Sequence, residues 1–280
     1  MVNDTKPTTT YSNDTENLGT GGLAMGVLGL TYAGFPVSYT TDNKADLNYS
    51  LGLLSASSQY LSVSDNSNLS IVGDLTIELW YKPSSQPTAG TDNILVSKFA
   101  TTGNQRSYYF SYSATSGGSL RLKFACDATG AGETTKERSN AMITGTWYHC
   151  ACVYIASAGT VQFYLNTNPS TINSALPTSI FNSTADFQIS GYEGTTSLAD
   201  GFFDEVRIWN TARTSAQISA NYNVRLRGNE TGLIGYWKWK GTNDFNDSTP
   251  NGNNLTSHGS PSFSESVPFG TFYTESTKPS

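Results

Sequence analysis

The residues whose spacing most directly raises a question of chemistry are the adjacent carboxylates in the run GFFDEVRIWN. Read as a strand, Phe203, Glu205, Arg207 and Trp209 alternate with Asp204, Val206, Ile208 and Asn210. Successive strand side chains point to opposite faces. Asp204 is therefore expected to share a face with Val206 and Ile208, with Glu205 on the other. A carboxylate on an apolar face must be met by a cation, backbone N–H groups or an arginine. Two carboxylates about 5–9 Å apart across an open cleft would instead hydrolyse glycosidic bonds. That chemistry is disfavoured. No Glu-x-Asp-x-Glu or Glu-x-Asp-x-x-Glu run occurs, Glu78 stands alone on its expected strand, and Asp204 and Glu205 point apart. Asp244 and Asp247 fall in a loop with no apolar shelter to raise either pKa.

Nucleophilic catalysis has no better footing. His149 and His258 are the two histidines of the chain; the first sits within an apolar run and reads as a hydrogen-bonded core residue, the second in a Gly/Ser loop. No GxSxG, P-loop or HExxH run is present. The expectation is a protein that binds rather than catalyses. A net charge of −6 without a Lys/Arg cluster argues against nucleic acid as a partner. Cys150 and Cys152 share one face of a strand, so they do not bridge each other; Cys126 paired with one of them, or three buried free thiols, remain open. The first 18 residues carry Asp4, Asp14 and Glu16 against Lys6, the wrong sign for a secretory signal. The apolar run from Gly21 to Val37 is Gly-rich and interrupted by Thr31, Tyr32 and Pro36, which excludes a membrane span. Asn-x-Ser/Thr triplets at Asn48, Asn182 and Asn254 carry no weight in a chain so rich in these residues.

The elements that must position these residues are strands. Abundant Ser, Thr, Asn and Gly oppose helix. Leu75, Ile77, Leu79 and Tyr81 alternate with Thr76, Glu78, Trp80 and Lys82 until Pro83 stops the run. Tyr108–Tyr112, Leu120–Cys126, Trp147–Tyr154, Val161–Leu165, Phe187–Ile189, Phe202–Trp209 and Leu233–Trp239 behave alike, separated by turn-rich stretches. Many short strands at this spacing make an all-β, antiparallel two-sheet sandwich. Trp147, His149, Ala151 and Val153 occupy one face, and Tyr148, Cys150, Cys152 and Tyr154 the other, so this strand is expected to be central and covered on both sides. Trp80 and Trp147 are expected to fill the sandwich interior. One short helix is expected near Thr214–Tyr222, capped by Thr214, with Ile218 and Tyr222 on one side. Residues 1–50 read as an extended N-terminal arm that must lie along another surface, 51–262 as the sandwich, and 263–280 as a tail.

The segments QYLSVSDNSNLSIVGDLTIELWYKP, GTWYHCACVY, GTVQFYLN, GFFDEVRIWNTARTSAQISANYN and GNETGLIGYWKWKG, in that order, resemble a concanavalin A-like, laminin-G-type jelly roll of the bacterial and phage kind. The resemblance spans about residues 58–260 and implies a jelly-roll sandwich. It also implies a structural calcium on the side of the Asp204 strand. Asp204 is then the first metal candidate, with Asp200 at the preceding turn and Asp247 in the Asn/Asp/Gly loop as helpers. Caps of backbone donors are the other reading of these aspartates. Glycan binding would need an exposed aromatic flanked by polar groups. Tyr192 and Glu193 in ISGYEGTTSLADG are the candidates, together with Tyr108 or Tyr109 beside Asn104 and Arg106. Two roles follow. One is a structural protein of an assembly, most naturally a virion decoration or tail protein, contacting other subunits through residues 1–50 and cell-surface glycans through its loops. The alternative is a secreted or surface lectin-like module, and glycoside hydrolysis comes last.

Overall fold

The computed structural model describes residues 48–269, together with a short antiparallel pair, Thr31–Tyr32 (β1) and Phe35–Pro36 (β2). The subunit-contact role expected of residues 1–50 falls mostly outside the described residues, as does the tail beyond Phe269.

Fifteen further strands follow. Ser50–Leu53 (β3), Tyr60–Val63 (β4), Leu75–Pro83 (β5) and Asp92–Ala100 (β6) come first. Gln105–Ala114 (β7), Leu120–Cys126 (β8), Thr134–Ser139 (β9), Tyr148–Ile155 (β10) and Thr160–Leu165 (β11) continue the run. Asn168–Pro169 (β12), Phe187–Ile189 (β13) and Gly201–Trp209 (β14) precede one helix, Ser215–Asn221 (α1). Leu233–Trp237 (β15), Thr256–His258 (β16) and Ser262–Ser264 (β17) are the last strands among the described residues. All pairings between these strands are antiparallel. One sheet runs β12-β11-β10-β5-β14-β3-β17, with β15 also paired to β14; the other runs β16-β4-β13-β6-β7-β8-β9. This is the jelly-roll sandwich, and the sheets reach from Ser50 to Ser264.

The core lies between the sheets. Leu75, Ile77, Leu79 and Tyr81 of β5 and Cys150, Cys152 and Tyr154 of β10 meet Tyr108, Phe110, Tyr112, Leu122 and Phe124 of the opposite sheet. The alternation in β5 and β10 thus lands as expected, and β10 lies inside its sheet. Its second face is covered by α1, where Ile218 packs on Ala151, Val153 and Tyr164. Thr214 caps this helix in a capping box with Gln217. All three cysteines are free and buried. Burial pushes the Cys126 thiol up to about 12, so it is no nucleophile.

Two expectations fail. Trp80 and Trp147 do not fill the interior, because they share parity with Lys82 and His149 on the opposite face of their sheet. Trp80 is buried there, its Nε1 donating to the Tyr222 carbonyl at 2.6 Å. Trp147 is half-buried. Secondly, β14 does not alternate strictly. Its register against β5 shifts between Asp204 and Arg207, and Glu205 adopts a φ of +52°. This β-bulge inserts one residue, so Phe203, Val206 and Ile208 all face the core. Asp204 does not share a face with Val206 and Ile208. Both Asp204 and Glu205 join the charged cluster beneath α1 and the segment after it.

Candidate functional site

The register of β10, β5, β14 and β3 lays residues in rows across the outer face of the eight-stranded sheet. His149 pairs with Trp80 and Trp80 with Asp204; Ala151 pairs with Glu78, Glu78 with Arg207, and Arg207 with Tyr236. The helix and the chain after it roof these rows, leaving Glu78, His149, Asp204, Glu205 and Arg207 no more than 1 % exposed. Glu78 therefore does not stand alone. Its Oε1 accepts from Trp209 Nε1 at 2.7 Å and lies 3.6 Å from Arg213 Nε and 3.9 Å from Arg207 Nη1. Its Oε2 lies 3.3 Å from His149 Nε2, close but outside hydrogen-bonding geometry. Burial raises the pKa of Glu78, but His149, Arg207 and Arg213 outweigh it and hold the carboxyl at about 2. Burial lowers the pKa of His149 despite Glu78, so the imidazole is neutral at neutral pH.

Glu205 is held by Arg207 Nη2 at 2.6 Å, by Arg225 Nε at 3.3 Å and by the Tyr236 hydroxyl. These contacts offset the cost of a left-handed residue inside a strand. Asp204 Oδ1 accepts from the Glu205 N–H at 2.8 Å, while Oδ2 has no hydrogen-bond partner among the described residues. Burial, then the negative charge of Glu205, drive the Asp204 pKa well up. This cluster has the titratable groups of an acid–base site but no opening to a substrate. It braces the roof of the sheet.

The three calcium candidates are not brought together. Asp200 accepts from the Ser55 N–H and hydroxyl and from Ser85 Oγ at 3.2 Å, tying the turn before β14 to the chain after β3. Asp247 Oδ1 accepts from the Tyr236 and Thr249 N–H groups, and its Oδ2 from Thr249 Oγ1 and the Asn253 N–H. Four bonds at 2.8–3.0 Å saturate it as a loop cap. Calcium takes six to eight oxygens, and among the described residues no group of three His, Cys, Asp or Glu converges to hold a metal. These carboxylates do not fit a shared calcium site.

The glycan candidates fare differently. Tyr192, Phe99 and Tyr109 form one cluster, with Phe99 edge-on to both rings at 5.2 and 5.1 Å. Tyr109 is 3 % exposed and offers no platform, while Tyr192 is half-buried. Glu193 Oε2 accepts from Thr101 Oγ1 at 2.7 Å and Oε1 from the Thr102 N–H at 2.8 Å. Burial raises its pKa, but these donors outweigh it and bring the carboxyl to about 2. Asn104, exposed in the β6–β7 turn, accepts from Arg106 Nη1 at 3.2 Å. Tyr192 and Glu193 thus lie near the β6–β7 turn, but their polar atoms mostly serve to hold the loop.

A stronger arrangement was hidden by sequence. The row next to His149–Trp80–Asp204 is Trp147–Lys82–Phe202–Gly52, set by the pairs Tyr148↔Tyr81, Phe202↔Lys82 and Phe202↔Gly52. Trp147, Lys82 and Phe202 are all half-exposed. The ammonium of Lys82 lies 5.2 Å from the Trp147 ring centre and 4.5 Å from that of Phe202. Gly52 keeps the row flat, since a Cβ there would come within 3.0 Å of the Phe202 ring. Exposed Ser262 and Ser266 lie at its end. The signal available in sequence was parity alone: Trp147 and Lys82 fall opposite the core residues Tyr148 and Tyr81. A groove of about 270 Å³ lies elsewhere on the same face, between β10, β11 and the start of α1, lined by Ile155, Gln162, Tyr164, Ile172, Arg213 and Ser215. Its polar groups largely satisfy one another, with Tyr164 Oη 2.9 Å from Gln162 Oε1 and 2.8 Å from Ser215 Oγ.

The sequence profile described as the concanavalin A-like lectin/glucanases superfamily, Laminin_G_3, matches residues 55–219, more than half of the chain. The chain belongs to this family. Among solved structures, this family member is similar to a candidate carbohydrate binding protein from Bacteroides ovatus. The two are 20% identical with a TM-score of 0.60, over 78% of this chain and 60% of that one. The chain thus spans 60% of the length of that relative. A heptameric SAP-like pentraxin from Limulus polyphemus is 18% identical, with a TM-score of 0.49, over 70% of this chain and 94% of its own. A CBM40 of the Ruminococcus gnavus IT-sialidase, bound to α2,3 sialyllactose, is 13% identical, with a TM-score of 0.48, over 61% and 95%. No curated protein sequence matches the chain. Among the described residues no helix is long and apolar enough to cross a membrane.

Proposed function

We propose that this chain is a non-catalytic carbohydrate-recognition module that stacks a saccharide on the open row formed by Trp147 and Phe202. The observation that carries the reading is that row itself: two half-exposed aromatic rings on a rigid sheet, flanking a lysine and bordered by serines. A pyranose has apolar C–H faces and a polar rim, which suits aromatic surface combined with a few placed donors. Membership of a lectin/glucanase family supports the reading, as does likeness in fold to a candidate carbohydrate binding protein. The non-catalytic part rests on the sealed carboxylates: Glu78, Asp204 and Glu205 cannot touch a glycosidic bond. The reading needs no calcium and favours a secreted or surface lectin over a virion protein, because its support lies within residues 48–269. Its partners are glycans.

The test is binding to an immobilised saccharide panel, followed by titration calorimetry on the best member. Trp147→Ala and Phe202→Ala should each weaken binding roughly tenfold or more, as loss of an aromatic anchor does, with the melting temperature little changed. If Tyr192→Ala abolishes binding while those two variants bind normally, the loop cluster is the site and the row is not.

A further inference from the structure

Resting on that stacking role, we infer that the saccharide held on the Trp147–Phe202 row is acidic, and that Lys82 is the residue that selects it. Three observations converge. The first is position: the Lys82 ammonium sits between the two rings, 5.2 and 4.5 Å from their centres, so a sugar lying on either ring has its rim beside a cation. A carboxylate on a pyranose is one bond from the ring, within reach of that nitrogen.

The second is the missing counter-charge. The chain has 22 Asp and Glu against 16 Lys and Arg, so a cation has no shortage of carboxylates to pair with. Lys98 is paired with Asp65 and Lys123 with Asp92. Arg121, Arg207, Arg213 and Arg225 are paired with glutamates. Among the described residues Lys82 meets no carboxylate; it donates to the neutral Ser266 hydroxyl at 2.9 Å. An ammonium carries three donors, so two are left for a ligand.

The third is the environment. Partial burial lowers the Lys82 pKa, as it should for a cation that has lost water without gaining an anion. Neighbouring aromatic faces return part of that cost. A bound carboxylate would return more, through a charge-assisted hydrogen bond in a partly desolvated setting. A neutral sugar would leave the imbalance in place. The specificity is thus built from the same three residues as the platform.

The full chain should be tested on matched acidic and neutral saccharides: oligogalacturonate beside its methyl ester, and sialyllactose beside lactose. At least one acidic member should bind roughly tenfold more tightly than its neutral match, the worth of a hydrogen bond to a charged group. Raising the salt should weaken it. Lys82→Gln should remove the preference for the acidic member of a pair, whereas Lys82→Arg should keep it; a merely structural lysine would not separate the two. Equal binding of acidic and neutral members, or a preference that survives in Lys82→Gln, overturns the inference while the stacking role stands. Binding to no member of any pair overturns both.

Discussion

Replacing Glu78 by Gln tests whether the charged cluster under α1 holds the sandwich together. The side chain is fully buried and its carboxylate faces His149, Arg207 and Arg213, with Trp209 Nε1 at 2.7 Å. Glutamine keeps the shape and the Trp209 bond. It removes the negative charge and turns an amide donor towards groups that need an acceptor. The pKa of Glu78, held at about 2 against an ordinary 4.5, corresponds to about 3 kcal/mol at about 1.4 kcal/mol per pK unit. Breaking a buried ion pair from one side costs about 3–5 kcal/mol, so the two routes agree near 3. The sign with pH follows. A depressed carboxylate pKa contributes stability that is complete above the unfolded value of 4.5 and drains away as pH falls towards 2. Urea unfolding of wild type and Glu78→Gln, followed by tryptophan fluorescence at pH 7, 4.5 and 3, should show a gap of about 3 kcal/mol at pH 7 that shrinks at pH 3. A gap under about 1 kcal/mol at pH 7, or one constant across the series, would refute the reasoning.

Asp204 should behave in the opposite way. Its raised pKa means that the folded carboxyl holds its proton while the unfolded one gives it up, so it costs stability at neutral pH and favours folding only below the ordinary value of 3.8. Asp204→Asn, which keeps an acceptor for the Glu205 N–H, should therefore melt no lower than wild type at pH 7, and a fall of more than about 5 °C, which is more than 1 kcal/mol in a domain of this size, would contradict this. Asp247→Ala should lower stability by about 2 kcal/mol, since a backbone cap of this kind is worth up to about that much. Neither calcium nor a chelator should move the melting temperature of the wild type, and a calcium-dependent rise would restore the shared-ligand reading of Asp200, Asp204 and Asp247.

Much of the fold was legible because each strand is half-buried. Leu75, Ile77, Leu79 and Tyr81 announce a core face by parity, and Cys150, Cys152 and Tyr154 do the same on β10. The helix was readable from Thr214, Gln217 and Ile218, whose capping and packing are local or one turn away. Parity does not say what covers the other face. Trp80 and Trp147 look like interior residues until the roof over the outer face is known. The loop candidates Tyr192 and Glu193 were found from composition, but burial of Tyr109 and the bonds spent by Glu193 on Thr101 and Thr102 follow from a turn far away in sequence.

The sequence by itself determined most of the strands and their core faces, and the capped helix. These follow from side-chain period and from bonds between residues a few positions apart. Tertiary structure alone decided three things. It placed Asp204 and Glu205 in one buried cluster, because a bulge at Glu205 adds a residue that no alternating pattern reveals. It gave Glu78 its partners from β10, from β14 and from the chain just after β14. It also set Trp147, Lys82 and Phe202 side by side, since the register between distant strands is fixed only when the whole sandwich closes on its core.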